Sequence, residues 1–537
     1  MKNSALTIAI GRRTRRRALA RGHAPAGRSW RACSALAALA LGSLLCDRAR
    51  GQTPSAAGSA ASGPATASPP PLPYPIAPLT VNGPWDSTIR LEVYERLRGE
   101  FVDWFATPNP GPTSRFRYNF IGNKLQLGIR FKRDPWEAFA QFQDTSLGDV
   151  PSNAVGVGST YFANTHSATQ NGAFLRQGWI ASKRLFADGL FLKGGRQLYS
   201  DALEAPVKNK DLRWIQVNRF SQRLIGPFDY THVGRSFDGG QIGYDSAKIN
   251  VTGFGFVPTY GGYEVDANRE LDIDLAGVAL SLPDSPELGE TFGRLFWLYY
   301  DDFRDVLSVD NRPLPARQAT QGKSIAIHTL GANVAHLFED VGPGFVDGVA
   351  YGYGQFGDYQ TLDHTAWAYG FEAGYRWKEG PARPWLRIGI DSASGDPDPN
   401  DDEHQTFFQM LPTAWLYAQF PFYNMMNNQD VFMQAILEPH RQVSLRLDFH
   451  WLRVNSSRDL AYFGGGATKN DFFGFGGVPA NGRYELAYLL HGMLTVQPTA
   501  FFTVNAFYGH AFGQGVINAN FTGRQGNYGF LEGIVAF

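Results

Sequence analysis

From Ile89 to Phe537 the chain alternates apolar and polar side chains in segments of about ten residues, divided by turns rich in Gly, Asp, Asn and Pro. A period of two puts successive side chains on opposite faces of an extended strand, so it specifies β-structure with two unlike faces. In Val443 to Trp451, the residues Val443, Leu445, Leu447, Phe449 and Trp451 share one face, and Ser444, Arg446, Asp448 and His450 share the other. Trp367 to Trp377 sets Trp367, Tyr369, Phe371, Tyr375 and Trp377 against Glu372 and Arg376. Leu125, Leu127, Ile129 and Phe131 oppose Lys124, Gln126 and Arg130, while Leu386, Ile388 and Ile390 oppose Arg387 and Asp391. Near the start of the region Arg90, Glu92, Arg96, Arg98 and Glu100 fall on one face.

A soluble sandwich also alternates, but its polar face meets water and is rich in Lys, Thr and Ser. Here the polar face mixes Arg with Asp, Glu and aromatics, and the apolar face ends in Trp, Tyr and Phe near the turns. An aromatic girdle around a lipid-facing band, enclosing a polar interior, accounts for both faces. Closure follows, because an open sheet edge in hydrocarbon leaves backbone groups unpaired. No uninterrupted apolar run reaches the roughly 18 residues of a membrane helix. The expected fold is therefore all-β, a transmembrane antiparallel β-barrel. At about 25 residues per strand and turn, the region after Ile89 predicts about 18 strands, within the range of channel-forming barrels. The chain closes on Phe537 with Leu531 and Val535 at even spacing behind it, as bacterial outer-membrane barrels do.

Ahead of the alternating region the chain reads differently. A basic stretch from Lys2 to Arg31 precedes the apolar run Cys33 to Cys46, which is too short to span a bilayer. Residues 1–51 read as a secretory signal cleaved near Gly51, residues 52–84 as an Ala/Ser/Pro-rich flexible tether, and residues 85–537 as the barrel. Both cysteines, Cys33 and Cys46, fall in the signal, so a mature chain has no disulfide or thiol chemistry. Overall, 49 Lys plus Arg balance 49 Asp plus Glu. Residues 1–51 hold 11 of those bases and one acid, so the remainder carries 38 bases and 48 acids, a net charge near −10. That charge argues against a nucleic-acid partner.

Several segments resemble, in order, the alginate export family of outer-membrane proteins. They are Phe174 to Trp179; Gly195-Arg-Gln197 with Ser200-Asp201; Gly234 to Gly239; Ser394 to Asp401 with Thr406-Phe407 and Leu411-Pro-Thr413; Leu445 to Leu452 with Arg458 to Tyr462; and Gly482 to Leu486 with Tyr508 to Gly513. The resemblance implies an 18-stranded barrel in the outer membrane whose arginine-rich lumen passes an anionic uronate polysaccharide out of the periplasm. It implies outer-membrane lipid and an anionic carbohydrate as partners, together with periplasmic export or assembly proteins, and no enzymatic activity.

An anion route needs fixed cations along the lumen, and arginine suits this because its fork pairs with carboxylates and stays charged. By strand phase the candidates are Arg90, Arg96, Arg98, Arg130, Arg376, Arg387 and Arg446; by family motif they are Arg176, Arg196 and Arg235. Arg196 shares the parity of Leu190 and Leu192, so a lumenal position there requires a strand end or a bulge. Each arginine could instead brace the wall by pairing with Glu92, Glu372, Asp391 or Asp448. The acidic run Asp396 to Asp402 lacks the Gly and the late Glu of an EF-hand, so a solvated loop is expected there rather than a calcium site. His450 and His510 have no histidine partner at ligand spacing, and no metal or cofactor is expected. The Gly-rich runs at 464–466 and 474–477 match no nucleotide-binding loop. An alternative function is a general porin for small organic anions or sugars, which a loop folded into the bore with paired acids and bases would favour. A barrel enzyme would need a catalytic cluster at one rim, and the sequence presents none.

Overall fold

The computed structural model describes residues 79–108, 115–284 and 289–537. Eighteen strands form the wall: β1 Thr88–Asp103, β2 Arg117–Arg133, β3 Trp136–Gly148, β4 Gln170–Ser182, β5 Leu190–Gln197, β6 Phe237–Asp245, β7 Asn250–Pro258, β8 Ile273–Leu282, β9 Thr291–Asp302, β10 Ile325–Val341, β11 Gly344–Tyr359, β12 Leu362–Trp377, β13 Trp385–Ala393, β14 Gln429–His440, β15 Val443–Arg453, β16 Glu485–Thr499, β17 Phe502–Gly513 and β18 Gln525–Ala536. Each pairs antiparallel with the next, and β18 returns to β1 in a register running from Tyr94 opposite Ala536 to Asp103 opposite Asn527. The sheet closes, so no strand edge faces hydrocarbon. The terminal Phe537 seals the joint by exchanging backbone hydrogen bonds of 2.8 and 3.0 Å with Val93.

The alternation read from the sequence sets which way each side chain points. Leu97, Leu295, Leu330, Ile388, Leu490 and Leu531 stand exposed on the outside, in a band between two aromatic belts. Trp136, Tyr244 and Phe338 lie near one rim, and Phe101, Phe356, Trp367, Tyr488 and Tyr508 lie toward the other. Amphipathic rings of this kind settle at the headgroup level on either side of a lipid-facing band.

The two rims are unequal. At one, two-residue turns such as 342–343, 441–442 and 500–501 join neighbouring strands, and the first and last wall strands begin and end there. At the other, long connections leave the wall at 149–169, 198–236, 303–324, 394–428 and 454–484. Short turns beside the termini and long loops opposite are the polarity of outer-membrane barrels, with the short turns toward the periplasm.

Residues 1–51 and 52–78, which carry the expected signal and most of the expected tether, lie outside the described residues. Within the last residues of that tether, Thr80–Asn82 pairs antiparallel with Thr88–Arg90 at the foot of β1.

Candidate functional site in the lumen

Two of the long connections turn into the barrel. Segment 198–236 descends to the short-turn rim, where the backbone N–H groups of Lys208 and Asn209 donate to Asp284 at 2.7 and 2.8 Å. There it forms a short helix, α1 Lys210–Ile215, capped by the Asn209 side chain, which accepts from Asp211 and Leu212 N–H. It then climbs back through a π-turn at Gln216–Phe220. Segment 394–428 enters from the long-loop rim and packs beside it, with Trp415 stacked on Tyr230 at 4.9 Å and the Tyr417 hydroxyl donating to the Ser221 carbonyl.

A knot of charge fixes the first segment to the wall. Arg219 donates from Nε to both oxygens of Glu372 at 2.9 and 2.7 Å. Arg223 reaches Glu372 at 3.5 Å and Asp391 at 3.4 Å. Arg387 pairs with Asp347 at 2.7 Å and Glu372 at 3.0 Å. All six groups are buried, so each charge depends on the others for stabilisation.

Nearer the long-loop rim, Arg98 donates to Glu532 at 2.7 Å, and Arg96 donates to the Asp229 and Thr231 carbonyls. Lys124 and Arg176 both reach the Asp229 carboxylate, at 3.2 and 2.6 Å. His232 Nε2 lies 2.7 Å from Glu100. Arg235 donates to the Gly465 carbonyl at 2.6 Å and makes no ion pair among the described residues, and its Nε and Nη1 are buried without partners. Arg96, Arg98, Lys124 and Arg176 thus face Glu100, Asp229 and Glu532, four cations against three acids.

Between the two inward segments and the wall, a recess is lined by Trp214, Asn218, Arg376, Trp385, Gln419 and Arg446, with Glu438, Ser444, Thr495 and Asn505 completing its polar surface. Trp214 and Trp385 lie with ring centroids 4.8 Å apart. Arg376 is held by Asp211 at 2.6 Å and Glu438 at 3.0 Å, and Arg446 by Asp448 through Nε at 2.7 Å. Two oriented guanidinium groups and several amides can hold a carboxylate there, with the buried Trp214 and Trp385 packed against each other in the wall of the recess.

Of the residues chosen from sequence, Arg96, Arg98, Arg176, Arg235, Arg376, Arg387 and Arg446 are buried or nearly so inside the barrel, with Glu372, Asp391 and Asp448 among their partners. Arg130 pairs with Glu92 and Glu137 low on the wall, and Arg90 stands half-exposed beside Glu92 at the short-turn rim. Arg196 corrects the sequence reading. It keeps the outward parity of Leu192, sits near the strand end and pairs with the equally outward Asp238 at 2.6 Å, so it does not line the lumen. The bulge lies one strand earlier: Gln141 pairs with Gln177 and Phe142 with Leu175, leaving Arg176 extra and turned inward beside Gln177. Sequence reasoning missed Trp214, Arg219, Arg223 and Asp229, all in segment 198–236. Its arginines and Trp214 were a signal, since a solvated loop has little use for buried aromatics.

The family-like motifs serve as fastenings of the inward segments. Gly234 takes a φ of +74°, and a Cβ there would lie 2.5 Å from Asp229 Oδ1 and 2.7 Å from Arg176 Nη2, so the ion pair needs glycine. Asp459 accepts from Thr406 Oγ1 at 2.6 Å, Asp396 N–H at 2.9 Å and Tyr462 hydroxyl at 2.7 Å, which brings three of the quoted segments together. Burial pushes the Asp396 carboxyl up to about 7, helped by Asp459, and pushes Asp459 up to about 6 against the hydrogen bonds that lower it. A carboxyl raised on folding favours the folded loops while protonated, and that contribution fades as pH rises from the usual carboxylate range through about 7. Amide exchange in 394–407 and 456–464, corrected for intrinsic rates, is expected to be faster at pH 8 than at pH 5, and equal protection at both would refute it.

Residues 294–484 match the family model for alginate export. No curated protein matches the chain. Among solved structures the fold is similar to Pseudomonas aeruginosa OccK2 in complex with glucuronate, with 9% identity and a TM-score of 0.51 over 84% of this chain and 98% of that one. It is also similar to P. aeruginosa OpdK with vanillate, at 10% identity and a TM-score of 0.52 over 83% and 98%. A BenF-like porin from Pseudomonas fluorescens Pf-5 gives 9% identity and a TM-score of 0.53 over 84% and 99%. The chain therefore has the closed 18-stranded barrel of the outer-membrane porins and, over residues 294–484, matches the alginate export family.

Proposed function

We propose that the barrel is an outer-membrane channel selective for small organic anions of the uronate and carboxylate class. The observation that carries this reading is the recess in which Arg376 and Arg446 stand beside Trp214 and Trp385. Segment 198–236 narrows the bore with acid–base pairs to the wall, as a small-solute channel requires, and segment 394–428 beside it offers backbone carbonyls to Arg446. Fixed guanidinium groups replace the counter-ions of a carboxylate, and their own acid partners keep the site from trapping it. OccK2 and OpdK were solved with glucuronate and vanillate, both carboxylates, which supports the same class here. The test is reversal potential in planar bilayers under a salt gradient, with competition by glucuronate, neutral sugars and oligouronates of increasing length. Anion preference and block by monomeric carboxylates are expected, and Arg376→Gln with Arg446→Gln is expected to lower the anion-to-cation permeability ratio severalfold. Cation preference, or a ratio unchanged in the double variant, would refute the proposal.

The match over 294–484 favours a second reading, passage of an anionic polysaccharide such as an alginate-like polymer. That reading requires both inward segments to leave the bore. Long oligouronates crossing as fast as monomers would establish it in place of the first.

A further inference from the structure

Strands β14, β15 and β16 carry a second cluster that adjoins the recess, which it meets through Asp448 and Gln419. Asp448 and His450 share the inward parity of β15, and the β15–β16 register sets Asp448 opposite His491. Asp430 reaches His450 from β14. The side chains of Asp448, His450 and His491 are at most 1% exposed. We propose that Asp448, His450 and His491 form a binding site for a divalent cation of the zinc class, with Asp430 and Gln419 as positioning residues.

His450 Nδ1 lies 2.8 and 3.1 Å from the two oxygens of Asp430, and a carboxylate only accepts, so Nδ1 carries a proton and, in the neutral ring, Nε2 is a lone pair. His491 Nε2 accepts the Gln419 backbone N–H at 3.2 Å, so it too carries a lone pair, which an ion would take over from that N–H. These two nitrogens face each other at 3.2 Å. Two lone pairs at that distance repel unless a proton or a metal ion lies between them. Asp448 Oδ2 is 3.5 Å from His491 Nε2 and 3.9 Å from His450 Nε2. Ligands bonded to zinc at about 2.0–2.1 Å in a tetrahedron stand roughly 3.3 Å apart, close to these separations.

Arg446 and Gln434 claim Asp448 through Oδ2, which leaves Oδ1 buried and without a hydrogen-bond partner. The amide oxygens of Gln419 and Gln434 are likewise unpartnered beside the cluster. Asp430, Asp448 and Arg446 sum to −1, so a divalent ion is electrostatically admissible despite the guanidinium. Asp430 behind His450 is the carboxylate–histidine support that orients an imidazole for metal binding. Two imidazoles and a carboxylate select ions of the zinc, cobalt and nickel group over calcium or magnesium. Gln419 belongs to segment 394–428, so an ion here ties that segment to the wall.

The test is a cobalt titration of the untagged, folded full chain after chelator treatment, followed by zinc competition and metal analysis. Expected are ligand-field bands of four- or five-coordinate cobalt at one ion per chain, lost to zinc. His491→Gln and His450→Gln are expected to abolish the bands, and Asp430→Asn to weaken zinc affinity by about 10–100-fold. A wild-type barrel with heat-shifted mobility that gives no bands overturns the proposal and leaves a shared proton between the rings. Bands unchanged in His491→Gln also overturn it, because the signal then belongs elsewhere, for instance to His364 and His404, whose Nδ1 atoms lie 2.9 Å apart. The wild-type titration decides the matter even if a variant fails to assemble.

Discussion

Glu372→Gln is expected to destabilise the folded barrel by about 3–5 kcal/mol, the usual cost of leaving a buried charge without its partner. Among the described residues Glu372 is the one acid that Arg219, Arg223 and Arg387 all reach, at 2.7, 3.5 and 3.0 Å. Glutamine keeps the shape and removes the charge, leaving three buried guanidinium groups to Asp347 and Asp391. The loss should appear as a lower urea midpoint in detergent and as rapid current fluctuations in bilayers, since Arg219 and Arg223 hold segment 198–236 in the bore. Unchanged stability would mean that the knot is not the fastening of that segment. Arg387→Ala is expected to act through the same knot, so its effect on selectivity would be indirect.

Excising residues 202–221 is expected to raise single-channel conductance severalfold and to weaken anion preference. The cut is feasible because its ends already meet: the Gln222 N–H donates to the Asp201 carbonyl at 3.3 Å, and the Asp201 N–H to that of Ile225 at 3.0 Å. A short glycine linker can bridge them without moving the wall. Barrels of this strand number hold an aqueous channel unless something fills it, and here α1 and the π-turn are part of the filling, beside segment 394–428. Conductance equal to wild type would show that ions pass by a route the segment does not obstruct. Bilayer recordings beside a heat-shift assay of folding separate a wider pore from a failed barrel.

The four alternating segments quoted from sequence face as their parity dictates. Phe371 and Ile388 are exposed outside, while Glu372 and Arg387 are buried inside. Parity is local, and a strand's two faces are fixed by its own residues. Arg196 shows the limit in one direction, since family likeness suggested the lumen and parity, which was right, suggested the membrane side. Arg176 shows it in the other, because its inward turn depends on a bulge that only pairing with β3 reveals. His450 lacked a partner in sequence because His491 lies on the next wall strand, beyond the long connection 454–484.

By itself the sequence determined the barrel: alternation assigned the faces, the aromatics placed the belts, and seven arginines were read as lumenal from strand phase, with three more from family motif. Tertiary structure decided what fills the lumen. Whether a long connection folds outward or into the bore depends on ion pairs such as Arg219 with Glu372, made between residues 153 positions apart. Such pairs leave no period in the sequence, because they are selected by burial and charge once the wall has closed, and they turn a wide barrel into a filled one.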